Sequence, residues 1–172
     1  MQLVSTTLTA LQQSAMNLLA ADIMFSGSVS ANGKAIPIIT EKKKDITQSI
    51  ELCLAQVGIT ALVLTPTFRP HQPAQNLVPD LNGWALLTVT IYEDVTINQG
   101  VSGTGIYAIA LAEEVLGVLH FAPHGVLSGA TSGGVPPCFL MTEQPLTMIS
   151  DGPPLQINTS FQAHVQLQPV IQ

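Results

Sequence analysis

Residue types that carry chemistry are few in this sequence, and their spacing decides what each can do. Ser102-Gly103-Thr104-Gly105 follows a strand-like run and opens a helix-like one. That is where backbone N–H groups cradle a phosphate. The lysine of a phosphate loop is missing, and so is the third glycine of a dinucleotide fingerprint. A turn with a helix cap is the simpler expectation for Thr104 and its glycines. His120 and His124 have the i, i+4 spacing of a zinc pair, but Pro123 separates them and no glutamate follows His120. Glu113 and Glu114 are adjacent, so on a helix they diverge by about 100° and do not form an acid–base pair. The serines near 128–132 lie in a glycine-rich run without a nucleophile elbow. Cys138 stands beside Pro137 with no histidine close in sequence to activate it. Nothing ties His71 or His164 to these groups. The expectation is therefore no catalytic activity, no metal and no cofactor.

The elements that would position such residues follow from periodicity. Val4, Leu8, Leu11, Ala15, Leu18 and Leu19 recur at helical spacing, which predicts a helix over 4–20. Ile23 to Val29 and Lys34 to Thr40 flank Asn32-Gly33, the dipeptide of a type I′ turn, and so predict a β-hairpin. Pro37 places the second of these strands at an edge. Lys42-Lys43-Lys44 reads as a solvated basic turn. Asp45 is a natural N-cap for a helix whose apolar stripe is Ile46, Ile50, Cys53, Leu54 and Val57, ended by Gly58. Ile59 to Thr65 reads as a strand stopped by Pro66. Four prolines from Pro66 to Asn82 predict a long loop or arm, of a length that in compact domains is functional or mobile. Trp84 to Tyr92 is a strand with Leu87, Val89 and Ile91 on one face.

A helix is expected from about 104 to 119, apolar nearly all round and interrupted only by Glu113 and Glu114. Pro123 stops it, and a loop rich in Gly, Ser and Pro spans 122–137. Phe139 to Thr142 and Leu146 to Ser150 predict short strands. The clearest strand is the last. Leu155, Ile157, Thr159, Phe161, Ala163, Val165 and Leu167 alternate with polar residues that include Gln162, His164 and Gln166. These elements predict an α+β fold. A single, largely antiparallel sheet carries two to three helices packed against it, with long loops and an arm. Residues 1–172 form one domain.

Charge is the compositional anomaly. Only 9% of residues are charged, against about 25% in ordinary soluble domains, and the net charge is -6. One reading is a soluble monomer coated with amides and hydroxyls; the favoured one, because interface cores are depleted of charge, is a subunit that hides surface in an assembly. All five cations lie within the first 69 residues, opposed there by Asp22, Glu41, Asp45 and Glu51. The rest of the chain holds seven carboxylates and no Lys or Arg. Such a balance excludes a protein that grips nucleic acid by its phosphates. No long apolar run suggests a membrane span, and the first residues do not read as a secretory signal. Cys53 and Cys138 are too few for a disulfide framework.

The element order resembles the tail terminator, or tail completion, proteins of tailed bacteriophages. The resemblance rests on the helix ending in Gly58, the strand Ile59-Thr-Ala-Leu-Val-Leu-Thr-Pro66, and the strand Leu87-Thr-Val-Thr-Ile-Tyr-Glu93. Asn98, Thr104-Gly105 and the helix Ala108-Ile-Ala-Leu-Ala-Glu-Glu-Val-Leu116 with Leu119-His120 complete it. It covers residues 40–125 best, with the final strand. The chain departs from the family in its sparse charge and in the Gly- and Pro-rich segment 122–154. The resemblance implies a hexameric ring at the head-proximal end of the tail. That ring caps the tail tube and joins it to a neck or connector protein. It also implies a virion protein made in the host cytoplasm, with DNA passing through without tight binding. On this expectation Phe68, Arg69, His71, Ile106, Tyr107 and Leu111 are candidates for the subunit interface. Glu93, Asp94, Glu113 and Glu114 are candidates for an acidic lumen. The competing expectation is a secreted or surface binding module, also without catalytic activity.

Overall fold

A computed structural model of the chain describes residues 7–41, 45–71, 81–126 and 137–167. The basic turn at 42–44, most of the arm beyond His71, most of the Gly-rich loop and residues 4–6 of the first helix lie outside that set. Among the described residues the fold is α+β, with one mixed, mostly antiparallel sheet of six strands and five helices. The strand order is β1 (Ile38–Thr40), β2 (Ile59–Val63), β4 (Asn82–Glu93), β6 (Leu155–Gln166) and β5 (Leu140–Ser150). β3 (Thr67–Pro70) pairs with the first half of β4, on the same side as β2. The one parallel pair, β1 with β2, is joined through helix α3 (Ile46–Val57).

Pleating assigns the two faces of the sheet, because alternate residues point to opposite sides and opposed residues share a side. Ile157, Phe161, Ala163 and Val165 on β6 lie opposite Ile91, Leu87, Ala85 and Gly83 on β4. These apolar side chains are buried in one cluster with Leu11, Ala15 and Leu19 of helix α1 (Thr7–Ala20). Leu111, Val115 and Leu119 of helix α5 (Ala108–Leu119) complete that cluster. Gln12 is buried as well: its Nε2 donates to the carbonyl of Val63 at 2.9 Å and pins α1 to the end of β2. α3 covers the other face, where Leu54 and Val57 are buried beside Leu62. Its ends are those expected. The Asp45 side chain accepts from Gln48 N, and Gly58 closes the helix at φ 79°.

The structure corrects several expectations. Residues 23–40 do not form a hairpin. Asp22 instead caps a single helical turn, α2 (Ile23–Ser26), which Gly27 ends at φ 91°. Gly33 has a positive φ but Asn32 does not, so the turn is not type I′. Asn32 Oδ1 accepts from Lys34 N while its amide donates to the carbonyl of Ser102, so its side chain serves a tertiary contact. β1 does lie at the sheet edge, as Pro37 indicated. The start of the arm is strand rather than loop. The long helix begins at Ala108, after a separate turn α4 (Val95–Asn98). The two short strands expected at 139–150 are one strand, β5, with register shifts after Met141 and Met148. Leu167, Gln162 and Gln166 are all half-buried, and His164 is fully buried. Cys53 is half-buried at the margin of the α3 stripe.

Phe161 is fully buried in the core cluster where β6 packs on α5. Phe161→Ala is expected to cost about 3–5 kcal/mol in urea unfolding. A cost below about 1 kcal/mol would contradict the assigned inward face.

Candidate interaction surfaces

The segment that leads into α5 is organised by one buried asparagine. Glu93 ends the inward row Leu87, Val89, Ile91 of β4, so its carboxylate enters the helix side of the sheet, where it is 2% exposed. Its Oε2 accepts from the backbone N–H of Ala108 at 2.9 Å, in the first turn of α5. Its Oε1 accepts from Asn98 Nδ2 at 2.6 Å and from Gln99 Nε2 at 3.3 Å. Asn98 is fully buried. Its amide also donates to the carbonyl of Ile106, and its Oδ1 accepts from both the N–H and the hydroxyl of Thr104. Gly58 and Gly103 crowd it on two sides; a Cβ on either would lie within 2.2 Å of the Asn98 backbone. The helix N-terminus where a phosphate would sit therefore already holds an anion, the Glu93 carboxylate. Thr104 and its glycines form a structural turn, as expected, but not the expected helix cap: the N-cap of α5 is Tyr107, three residues later.

This arrangement separates the candidate residues. Glu93 does not face a lumen, because it satisfies buried donors. Leu111 and Ile106 are buried in the core rather than offered to a partner. Phe68 pairs with Ala85 and packs half-buried against the same core. Asp94 is a cap, its Oδ1 accepting from Ile97 N. Tyr107, 57% exposed, and Glu113 lie at the surface. Glu114 is half-exposed and hydrogen-bonds the Asp22 side chain. Partial burial, and then this bond and the Asp22 charge, hold its carboxyl above the ordinary range. Sequence spacing gave no sign of that carboxyl pair, since 92 positions separate its members.

Two histidines meet on the opposite face of the sheet. His164 is paired across strands with Trp84, and Trp84 with Arg69 on β3. His71, just past β3, places its Nε2 2.6 Å from Nε2 of His164, with the two rings stacked at 4.8 Å. Trp84 stands edge-on to both rings. Two imidazole nitrogens at that distance share one proton, so the pair is held together only while one ring is neutral. Burial, and then the charge of His71, lower the pKa of His164. Sequence reading left these two histidines apart because the link runs through a strand hidden in the arm. His120 and His124 do not form a metal pair. The Nδ1 of His120 accepts from Met141 N and that of His124 from Val126 N. Burial lowers the pKa of His124 too. Among the described residues, no three metal-ligating side chains gather.

No family model matches the chain, and no curated protein matches it in sequence. A solved structure aligns over 92% of this chain and 97% of its own, at 10% identity and a TM-score of 0.46. A likeness of that extent adds nothing to the fold or the function. No helix among the described residues is long and apolar enough to cross a membrane.

A lowered histidine pKa has a definite sign. The neutral ring is favoured in the folded state, so its contribution to stability is complete above the unfolded value of about 6.5 and is lost as pH falls below it. The urea midpoint, followed by emission of Trp84, the single tryptophan, is expected to drop as pH is lowered through this range. His164→Gln is expected to flatten that dependence, leaving the part due to His124. Identical pH slopes for wild type and variant would contradict the assignment.

Proposed function

We propose that the chain is a ring-forming structural protein of a phage tail. It would cap the tail tube at its head-proximal end and join it to the neck. The observation that carries this reading is a surface with exposed apolar side chains and few charges. Tyr107, Ile109 and Phe121 are 57%, 45% and 65% exposed on and around α5. Exposed aromatic residues with no cation near them in sequence suit the buried centre of a protein interface, and the carboxylate of Glu113 among them gives that surface one sign of charge. The element order that resembles tail terminators supplies the kind of assembly, its six-fold symmetry and its partners: a tail tube protein and a neck or connector protein. The acidic balance of residues 70–172 suits a channel that DNA crosses without adhering, since carboxylates repel phosphates. On this reading the acidic side chains available to such a lining are the exposed Glu113 and the half-exposed Asp94 and Glu114. The chain catalyses nothing; its work is to present two surfaces that fit neighbouring subunits.

Disruption of the gene in its phage tests the reading. The lysate is expected to contain filled heads and tail tubes of uncontrolled length that remain unjoined. Antibody labelling of wild-type particles is expected to mark the junction of head and tail. Normal infectious particles from the disrupted phage, or a protein found only outside particles, would contradict it.

A further inference from the structure

The outer side of α5 carries a row that no described residue covers. Ile109, Glu113 and Gly117 are spaced by four and so lie on one line along the helix; all three are exposed. Phe121 follows just beyond the helix end. It is 65% exposed and stands at φ 64°, in the left-handed region that a bulky residue seldom adopts. Glycine weakens a helix interior relative to alanine, so Gly117 is a costly choice there. Among the described residues nothing requires it, because a Cβ there would meet no atom within 4 Å. The row is thus an open notch with a carboxylate on one side and an aromatic ring on the other. Glu114 and Asp22 add acidity beside it.

A surface of the opposite kind lies across the sheet. Arg69 is exposed on β3 and shares its face with Trp84, which it opposes in register. Leu86, 40% exposed, lies on that face next to them, opposite Thr67. α3 covers this side of the sheet only near β2. Among the described residues no carboxylate pairs with Arg69.

We infer that a second copy of this chain docks its Arg69–Leu86 surface onto the α5 row of the first, with Arg69 paired to Glu113 over the notch at Gly117. The inference rests on the ring reading and names the pair of faces that would build the ring. Charge complementarity selects the occupant, since one surface is acidic with apolar flanks and the other cationic with apolar flanks. Arginine suits the role, because its planar fork can bond both oxygens of a carboxylate. A glycine opposite lets that fork approach the helix backbone. The two surfaces lie on opposite sides of one sheet, so the contact is heterologous and repeats head to tail. A contact of that kind closes into a ring when its rotation divides a full turn.

Sedimentation velocity of the full chain at low salt tests the pairing. Arg69→Glu alone and Glu113→Arg alone are each expected to weaken self-association at least about tenfold. The combined variant, Arg69→Glu with Glu113→Arg, is expected to restore the wild-type oligomer. Both sites are exposed, so circular dichroism and the melting temperature should stay near wild type in every variant. Gly117→Gln, which fills the notch, is expected to act like the single charge reversals. Single variants that keep the wild-type size would overturn the pairing and leave the ring reading standing. Loss of assembly in the single variants without restoration in the combined one would also overturn it. A wild-type chain that sediments as one subunit at all concentrations would overturn both.

Discussion

The hydrogen bonds around Asn98 are the constraint on which the rest of the structure depends. One side chain joins the end of the central strand β4 to the turn before α5, through Glu93, Thr104 and the carbonyl of Ile106. Each of these groups is buried, and a buried polar group left unbonded costs about 1–3 kcal/mol. The close approach of Gly58 and Gly103 leaves no room for a different loop path. The direction of α5 follows from this knot, because its first N–H is held by Glu93. The placement of the 27–36 segment follows too, since Ala31 N and Asn32 reach across to Thr104 and Ser102. Which side of α5 faces outward is thus decided inside the molecule, by residues that never reach the surface.

Much of the fold was legible from period and caps. Helix α3 could be read from Asp45 to Gly58 because both ends carry the residue their local geometry demands. The inward row of β6 could be read because one face is apolar except for Thr159. The failures have physical causes. Asn32-Gly33 suits a hairpin turn, but the Asn32 side chain found a tertiary acceptor in Ser102, a preference that no local pattern contains. β3 was hidden because it is four residues long and is bounded by Pro66 and Pro70, which are weak strand formers; pairing with β4 holds it extended. Glu93 looked like a surface acid although the alternation Leu87, Val89, Ile91 points to its inward position. Its burial depends on donors supplied five and fifteen residues later. The same gap explains the interface candidates. Sequence shows that α5 is apolar on every side, but not which apolar residues the core takes. It took Leu111 and Ile106, and left Tyr107 and Ile109 outside.

The two faces of the sheet divide the labour. One face is dry and carries α1 and α5; the other is covered by α3 near β2 and left with Trp84, Arg69 and Leu86 near β3. His71 and His164 fasten that second region, by a bond that acid breaks. A chain with so few charges cannot keep both an exposed helix row and an exposed strand face in water by repulsion alone. The composition and the geometry therefore favour the same outcome, a subunit with neighbours on both sides of its sheet.

The central claim is that the chain closes on itself in a ring. Native mass spectrometry of the purified protein, joined to class averages from electron microscopy, tests it most directly. The account predicts one oligomer of fixed subunit number over a range of concentrations, seen end-on as a closed ring with an open centre. A single-chain mass at every concentration, or open filaments of variable length, would contradict it.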